Sequence, residues 1–196
     1  ATGRGLVLPA SECRLGYRDS IFKGSLRDQV VITAIELRLS RSARVNLGYP
    51  ALAAFFRDRQ SQDVTPAEVF EAVVSIRRAR LPDPSRLPNV GSFFKNPLVS
   101  QADAATLALQ YPGLPVFPQA NGMAKLAAAW LIERCGWKGY REGDVGVHPE
   151  HALVLVNYGE GRGDQVLALA ERIVASVREA FGLELAVEPR VYGRHA

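Results

Sequence analysis

Apolar residues recur at the three- to four-residue spacing of amphipathic helices in four segments of the chain. The clearest segment follows Thr65, where Pro66 and Glu68 complete the sequence signature of a capped helix, and Pro82 ends it. A cap residue or a terminal glycine bounds each of the others. The four predicted helices cover residues 65–82, 100–113, 124–136 and 161–182.

Alternation of apolar and polar residues predicts strands elsewhere. Residues 30–39 are the longest such segment, residues 5–8 form a shorter one, and residues 151–157 read as a buried strand. Residues 183–193 alternate again and predict a last strand. Prolines interrupt all periodicity between residues 82 and 97, which predicts a stiff loop there.

The order of these elements indicates an α/β or α+β fold. Residues 65–185 contain most of the predicted helices and are expected to form one mixed α/β domain. Residues 1–64 offer two or three strands without a long helix to cover them, and such a sheet is marginal alone. We expect them to be the end of another domain whose preceding portion this chain lacks. Residues 186–196 are expected to form a strand that returns toward that domain.

Composition narrows the class of protein. The chain has 196 residues, of which 47% are apolar and 22% charged, as in an ordinary folded protein with a core. No apolar run approaches the roughly 20 residues of a membrane helix, and no signal pattern begins the chain. Cys13 and Cys135 are expected to be reduced thiols, which favours a cytoplasmic location. The net charge of +4 points to an anionic ligand, and the scatter of basic residues argues against nucleic acid.

Five motifs in one order carry a family likeness. They are GYRDSIFK (16–23), RLPDPSRLPNVGSFFKNPLVS (80–100), PQANGMAKLAAAWLIERCGWKG (118–139), VGVHPEHALVLVN (145–157) and LAVEPRVYG (185–193). Together they closely resemble the bacterial UDP-N-acetylenolpyruvoylglucosamine reductase family. The resemblance implies a monomeric cytoplasmic flavoenzyme of peptidoglycan synthesis. It also implies that residues 1–64 are the C-terminal end of an FAD-binding domain and that residues 65–185 form the substrate-binding domain.

The resemblance implies a definite reaction. NADPH reduces FAD, and the flavin then passes hydride to the enolpyruvyl group of UDP-N-acetylglucosamine enolpyruvate, giving UDP-N-acetylmuramate. Three residues of this chain match the family's catalytic positions: Ser92 as proton donor, Arg18 as the cation that holds the substrate carboxylate, and Glu188 as a protonated carboxyl beside it. The family usually has the sequence EPE where this chain has VEPR. When the residues are counted back to Asn157 without gaps, Glu188 rather than Glu184 falls at the catalytic position.

The resemblance also implies contacts to the nucleotide sugar and the flavin. Arg190 is expected to touch the flavin. In the family, a lysine is commoner at the position of Arg80, and a glutamine is known at the position of His151. The residues implied to bind the UDP-sugar are Tyr17, Tyr49, Arg80, Asn96 and His151.

Without the motifs, the same residues have structural interpretations. Ser92 would form a turn with its neighbouring glycine, Arg18 would pair with Asp19, and Glu188 would lie in solvent. His151 would be an ordinary packed or surface histidine. Residue type alone does not decide between these structural roles and the functional ones.

Other functions remain as alternatives at this point. One is a nucleotide-sugar-binding module without catalysis, and another is a basic RNA-binding domain. The second alternative is disfavoured because the predicted strands contain few aromatic residues on which bases could stack. HPEH (148–151) has two histidines, but Pro149 breaks the helix that would align their rings and no third ligand is near. No metal site is predicted.

Overall fold

The computed structural model describes residues 3–16, 19–42 and 44–193. Backbone contacts divide the chain into two compact units, residues 1–44 and residues 45–196. The boundary predicted from the sequence lies after residue 64, twenty residues further along. The assignment of the parts to a flavin domain and a substrate domain stays a prediction.

The described part of the first unit consists of turns and extended loop, with one 3-10 helix at Ile21–Lys23. The amide of Ile21 donates to the carbonyl of Cys13 at 3.0 Å, and Gly16 forms a single bridge with Asp19. These local bonds hold the turns on either side of Tyr17 and Arg18, which themselves lie outside the described residues.

The strands predicted at residues 5–8 and 30–39 are wrong for the described structure, which has no strand in either segment. The reason is that alternation marks a surface suited to pairing, whereas a strand forms only where a neighbour supplies hydrogen bonds. No described residue pairs with residues 30–39. Large apolar side chains there are exposed by between 41% and 86%: Val30, Val31, Ile32, Ile35, Leu37 and Leu39.

The described part of the second unit contains five α-helices, four of them at or near the predicted positions. They are α1 (Pro50–Phe55), α2 (Pro66–Arg80), α3 (Gln101–Gln110), α4 (Ala128–Arg134) and α5 (Gly163–Phe181). The predicted caps are confirmed at three of them. The Thr65 hydroxyl accepts from the Glu68 amide, the Ser100 hydroxyl accepts from the Asp103 amide, and Gly182 ends α5 with φ +67°. A left-handed residue at that point is most easily supplied by glycine.

Two antiparallel sheets complete the unit, so the fold is mixed α/β as predicted. The strands are β1 (Asn89–Ser92), β2 (Leu98–Ser100), β3 (Val116–Pro118), β4 (Met123–Leu126), β5 (Arg141–Glu142), β6 (Val145–Val147) and β7 (Val154–Asn157). One sheet has the order β1-β7-β6-β5, and the other has the order β2-β4-β3. Only β7 was predicted, because it lies in an unbroken run of apolar residues (152–156), whereas the other strands are two to four residues long and lie in no such aliphatic run.

Two further predictions need correction. The helix predicted over residues 124–136 begins only at Ala128, because Met123–Leu126 pairs with strands on both sides as β4. The strand predicted over residues 183–193 is reduced to one bridge, between Phe94 and Val187. Pro189 has no amide hydrogen to continue the ladder, which explains why pairing ends near it.

A single apolar core joins the two sheets to α3, α4 and α5. Its fully enclosed side chains include Leu126, Leu131 and Ile173, each 0% exposed. A second, smaller core lies between α1 and α2 around Leu52, Phe56 and Ala72. None of the helices within the described ranges is both long and apolar enough to cross a bilayer.

The capping box of α2 gives a stability prediction. Thr65→Ala removes the hydroxyl that accepts from the Glu68 amide, so we expect the free energy of unfolding to fall by about 1 kcal/mol. The measurement is chemical denaturation monitored by circular dichroism. Thr106→Ala is the matched control, because the Thr106 hydroxyl bonds only to the Ala102 carbonyl within α3. An equal loss in both variants would show that the cap has no special role.

Candidate functional site

The loop before Ser92 is held by side chains rather than by regular structure. Asn89 donates through Nδ2 to the carbonyls of Pro82 and Leu87, at 3.2 and 2.8 Å, and its Oδ1 accepts from the Gly91 amide at 2.9 Å. At the other side of the loop, the Asn157 amide donates to the Pro88 carbonyl at 2.9 Å. The stiff loop predicted from the prolines is therefore fastened to β7 and to its own start.

Asp83 stabilises the beginning of the same loop. One of its carboxylate oxygens, Oδ1, accepts from the amide and the hydroxyl of Ser85, at 2.9 and 2.8 Å. These bonds lower the pKa of Asp83, because they favour the ionised carboxylate. The LPDP motif thus forms an aspartate-capped turn.

Gly91 turns the chain immediately before Ser92. Its φ is +73°, a left-handed conformation that glycine adopts without strain, and the strand pairing is irregular between Asn89 and Ser92. Ser92 pairs with Val154 of β7 and is half-buried. The hydroxyl therefore belongs to a fixed strand end with partial access to solvent.

The two phenylalanines after Ser92 anchor this strand end in the core. Phe93 and Phe94 are 4% and 1% exposed, and their rings pack edge to face at 5.4 Å between centroids. The Phe93 amide donates to the Leu153 carbonyl at 2.7 Å. Burial of both rings leaves Ser92 little freedom to shift along or away from β7.

The segment that carries Glu188 lies directly beside this anchor. The Glu188 amide donates to the Phe93 carbonyl at 2.9 Å, and the Lys95 amide donates to the Ala186 carbonyl at 2.8 Å. With the Phe94–Val187 bridge, these bonds bring the backbone of Glu188 next to the residue after Ser92. Two of the three predicted catalytic residues are therefore neighbours in space, although they are far apart in sequence. The Glu188 side chain is exposed.

Asn96 has a structural contact that sequence reasoning missed. Its Oδ1 accepts from the Ala128 amide at 3.0 Å, at the first residue of α4. Helix α4 lacks a capping side chain of its own, since Ala127 occupies the cap position, so Asn96 replaces it from a distance. The amide group Nδ2 of Asn96 remains as a possible donor to a ligand.

His151 and Arg80 are brought into one electrostatic neighbourhood. His151 is half-buried in the turn between β6 and β7, and its Nδ1 accepts from the Leu153 amide at 3.3 Å. Burial lowers the pKa of His151, and the charge of His148 lowers it further. The positive charges of Arg80 and Lys138 lower the pKa in the same direction, because they disfavour a further positive charge on the ring. Arg80 is the last residue of α2.

Of the other predicted site residues, Tyr49 and Arg190 lie within the described part of the chain. Tyr49 is 61% exposed and immediately precedes α1. The Arg190 guanidinium lies 5.2 Å from the centre of the Tyr192 ring. The predictions for Tyr17 and Arg18 fall outside the described residues, so their place relative to Ser92 stays a prediction.

Two grooves lie in the second unit. One has a volume of about 540 Å³ and runs between α5 and residues 184–191, and the other, of about 530 Å³, lies between α1 and α2. Neither is lined by Ser92, Glu188, Asn96 or His151. The first groove nevertheless borders the segment of Glu188, because Val187 and Pro189 line it.

A protein-family model matches most of the second unit. The family model described as UDP-N-acetylenolpyruvoylglucosamine reductase, C-terminal domain, matches residues 83–192. That range contains Ser92, Asn96, His151, Glu188 and Arg190.

Curated relatives are similar over nearly the whole chain. UDP-N-acetylenolpyruvoylglucosamine reductase of Chromobacterium violaceum is 48% identical over 96% of this chain and 55% of its own length. The protein of the same name from Shewanella sp. (strain MR-4) is 47% identical over 98% of this chain and 55% of its own length. The chain thus spans about half the length of these relatives.

A solved structure is also similar, the crystal structure of UDP-N-acetylenolpyruvylglucosamine reductase from Thermus caldophilus. It is 29% identical to this chain, with a TM-score of 0.36, and the match covers 66% of this chain and 35% of that one. Since the family model matches more than half of the residues, the chain belongs to the UDP-N-acetylenolpyruvoylglucosamine reductase family and carries its C-terminal domain.

Proposed function

We propose that the complete protein is a cytoplasmic, FAD- and NADPH-dependent reductase. It converts the enolpyruvyl group of UDP-N-acetylglucosamine enolpyruvate to the lactyl ether of UDP-N-acetylmuramate in peptidoglycan synthesis. This chain supplies the substrate-binding domain and the catalytic residues. The observation that carries the proposal is the fixed end of β1, where Ser92 lies beside the segment of Glu188.

Neither of the two grooves described above suits a flavin. Neither groove is lined by a glycine-rich turn that could hold a flavin's diphosphate, and residues 30–39 lie open to solvent. When bound, FAD supplies hydride to the substrate. We propose that it is held mainly by the part of the relatives' length that this chain does not match, with Arg190 as a contact from this chain.

Ser92 is proposed to supply the proton. Reduction of the enolpyruvyl group leaves negative charge on the carbon next to the carboxylate, and this carbon must gain a proton. A hydroxyl is a weak acid, but a carbanionic carbon is a strong base, so the transfer is downhill if the geometry is right. The turn at Gly91 and the buried ring of Phe93 fix that geometry in advance.

Arg18 and Glu188 are proposed to bind the substrate carboxylate. A guanidinium can hold a carboxylate through two parallel hydrogen bonds and keeps its charge throughout the reaction. A protonated carboxyl of Glu188 would donate a further hydrogen bond to the same group. Both contacts strengthen as charge moves onto the carboxylate, so they stabilise the transition state more than the substrate.

The nucleotide end of the substrate is proposed to bind to hydrogen-bond donors of the protein. Arg80 supplies a fixed positive charge for the diphosphate, and Asn96 can donate from Nδ2 because its Oδ1 is occupied by the Ala128 amide. His151, whose pKa the charge of Arg80 helps to lower, adds a third donor. Tyr49 and Tyr17 are the proposed aromatic contacts. This set suits an anion that is rich in acceptor oxygens.

Replacement of Ser92 tests the proton donor. In the complete enzyme, we expect Ser92→Ala to leave reduction of the flavin by NADPH unchanged and to slow its reoxidation by substrate by about 10²- to 10⁴-fold. Stopped-flow absorbance separates the two half-reactions. Ser85→Ala is the matched control, because Ser85 lies in the same loop and bonds to Asp83. Wild-type reoxidation by Ser92→Ala would remove Ser92 from the reaction, and a protein without flavin would contradict the proposed function as a whole.

Replacement of Arg80 tests the nucleotide site. We expect Arg80→Ala to weaken binding of the UDP-sugar by about tenfold, since one charge-assisted contact is lost. Calorimetric titration measures the dissociation constant. Arg78→Ala, in the last turn of the same helix, is the control for a general change in charge. Equal dissociation constants for Arg80→Ala and the wild type would place the diphosphate elsewhere.

Replacement of Gly91 tests the fixed geometry. A Cβ at this position meets no atom within 4 Å, so Gly91→Ala adds conformational strain of about 1 kcal/mol without a clash. We expect the rate of substrate-dependent reoxidation to fall by more than tenfold, because relief of this strain moves Ser92. Gly163→Ala is the control, since it also has open space but a φ outside the left-handed region. A Gly91→Ala enzyme with the wild-type rate would show that the turn has no part in placing the hydroxyl.

A further inference from the structure

We propose that Asn89 is a positioning residue for proton transfer: its side chain holds the irregular end of β1 in the arrangement that turns the Ser92 hydroxyl away from the main core. This inference rests on the proposed function, because that function gives Ser92 the role of proton donor. Asn89 does not touch the substrate in this scheme and acts only through Ser92.

The pairing of β1 with β7 contains one extra residue on β1. Asn89 lies opposite Val156 and Ser92 lies opposite Val154, so three steps along β1 correspond to two steps along β7. This is the geometry of a β-bulge, which bends a strand and re-aims the side chain that follows it. Gly91 lies inside the bulge with φ +73°. The bulge therefore decides how the side chain of Ser92 is presented.

The bulge places Ser92 on the side of the sheet away from the main core. Leu153 and Leu155 belong to that core, and Val154 between them points to the opposite face, because side chains alternate along a strand. Residues that lie opposite each other share a face, so Ser92 shares the face of Val154. In a regular ladder that began at Asn89, Ser92 would instead lie opposite Leu153 and point into the core.

The side chain of Asn89 supplies the bonds that hold the bulge. Its Oδ1 accepts from the Gly91 amide at 2.9 Å, which closes a turn inside the bulge. Its Nδ2 donates to the carbonyls of Pro82 and Leu87, at 3.2 and 2.8 Å. These partners also fix the orientation of the amide group, since a reversed amide would set two N–H groups against each other. One side chain thus links the bulge to both ends of the turn at residues 82–87.

The backbone of this loop has few donors of its own. Three of the seven residues from 82 to 88 are prolines, which have no amide hydrogen. The Leu87 amide is already used, because it donates to the Asp83 carbonyl at 2.8 Å. The amide group of Asn89 therefore acts in place of a backbone donor. A carboxylate of the same shape could not do so, since it has no hydrogen to donate.

Replacement of Asn89 in the complete enzyme tests the inference. We expect Asn89→Ala to leave reduction of the flavin by NADPH unchanged and to slow reoxidation at saturating substrate by about 10- to 100-fold, because the hydroxyl is no longer held within reach of the carbon. Asn89→Asp keeps the acceptor for the Gly91 amide but turns a carboxylate oxygen toward two carbonyls, so we expect it to be slowed by at least about tenfold. Stopped-flow absorbance measures both half-reactions. Wild-type reoxidation by either variant would overturn the inference.

Asn46→Ala is the matched control. Oδ1 of Asn46 accepts from the Gly48 amide at 2.8 Å, which is the same bond across the same spacing in a loop that does not lead to Ser92. We expect its reoxidation rate at saturating substrate to stay within about twofold of the wild type. Equal slowing of Asn46→Ala and Asn89→Ala would contradict a specific role for Asn89.

A double-mutant cycle tests whether Asn89 acts through Ser92. The Ser92→Ala enzyme has no hydroxyl left to place, so we expect the further change Asn89→Ala to slow its reoxidation by less than about threefold. A general structural role of Asn89 would slow the reaction equally in both backgrounds. A further slowing of more than about threefold would therefore rule out the positioning role.

The outcomes separate this inference from the proposed function. If Ser92→Ala is reoxidised at the wild-type rate, the proposed proton donor is wrong, and the role given to Asn89 is wrong with it. If Ser92→Ala is slow and Asn89→Ala is as fast as the wild type, only the positioning role fails. If Asn89→Ala does not retain flavin, Asn89→Asp decides the question, because it preserves the size of the side chain.

Discussion

The candidate site depends on the backbone of Phe93, which is hydrogen-bonded on both sides. Its amide donates to Leu153 of the segment leading into β7, and its carbonyl accepts from Glu188. Both bonds lie next to two buried aromatic rings, where a lost hydrogen bond would leave a polar group without water. This one residue therefore fixes the distance between the end of β1 and the segment of Glu188, and it does so before any ligand binds.

The rest of the site uses polar side chains to fasten irregular backbone. Asn89 ties the proline-rich loop to itself, and Asn96 caps α4 from outside the helix. The side chain of Asn89 makes three such bonds and that of Asn96 makes one, and each bond reduces the conformations open to the neighbouring backbone. A loop held in this way can place a functional group nearly as precisely as a strand, which is what proton transfer to carbon requires.

The sequence predicted those parts of the fold that local chemistry decides. Helix α2 could be read from Thr65, Pro66 and Glu68 because a capping box is made by residues three positions apart. The cap of α4 could not be predicted from the sequence, since Asn96 and Ala128 are brought together only by the fold. The role of Asn89 had a local signal, an asparagine two residues before a glycine, which is typical of a side chain that accepts from the backbone. The neighbouring positions of Ser92 and Glu188 followed from family motifs and not from any pattern in the sequence.

Residues 30–39 have the alternating pattern typical of a strand, yet they do not form one in the described structure. Their alternation describes a segment fit to pair, but pairing is a property of two segments, and the described residues supply no second one. The aliphatic side chains of this segment stay exposed, although burying each would stabilise a folded protein by roughly 1.5–3 kcal/mol.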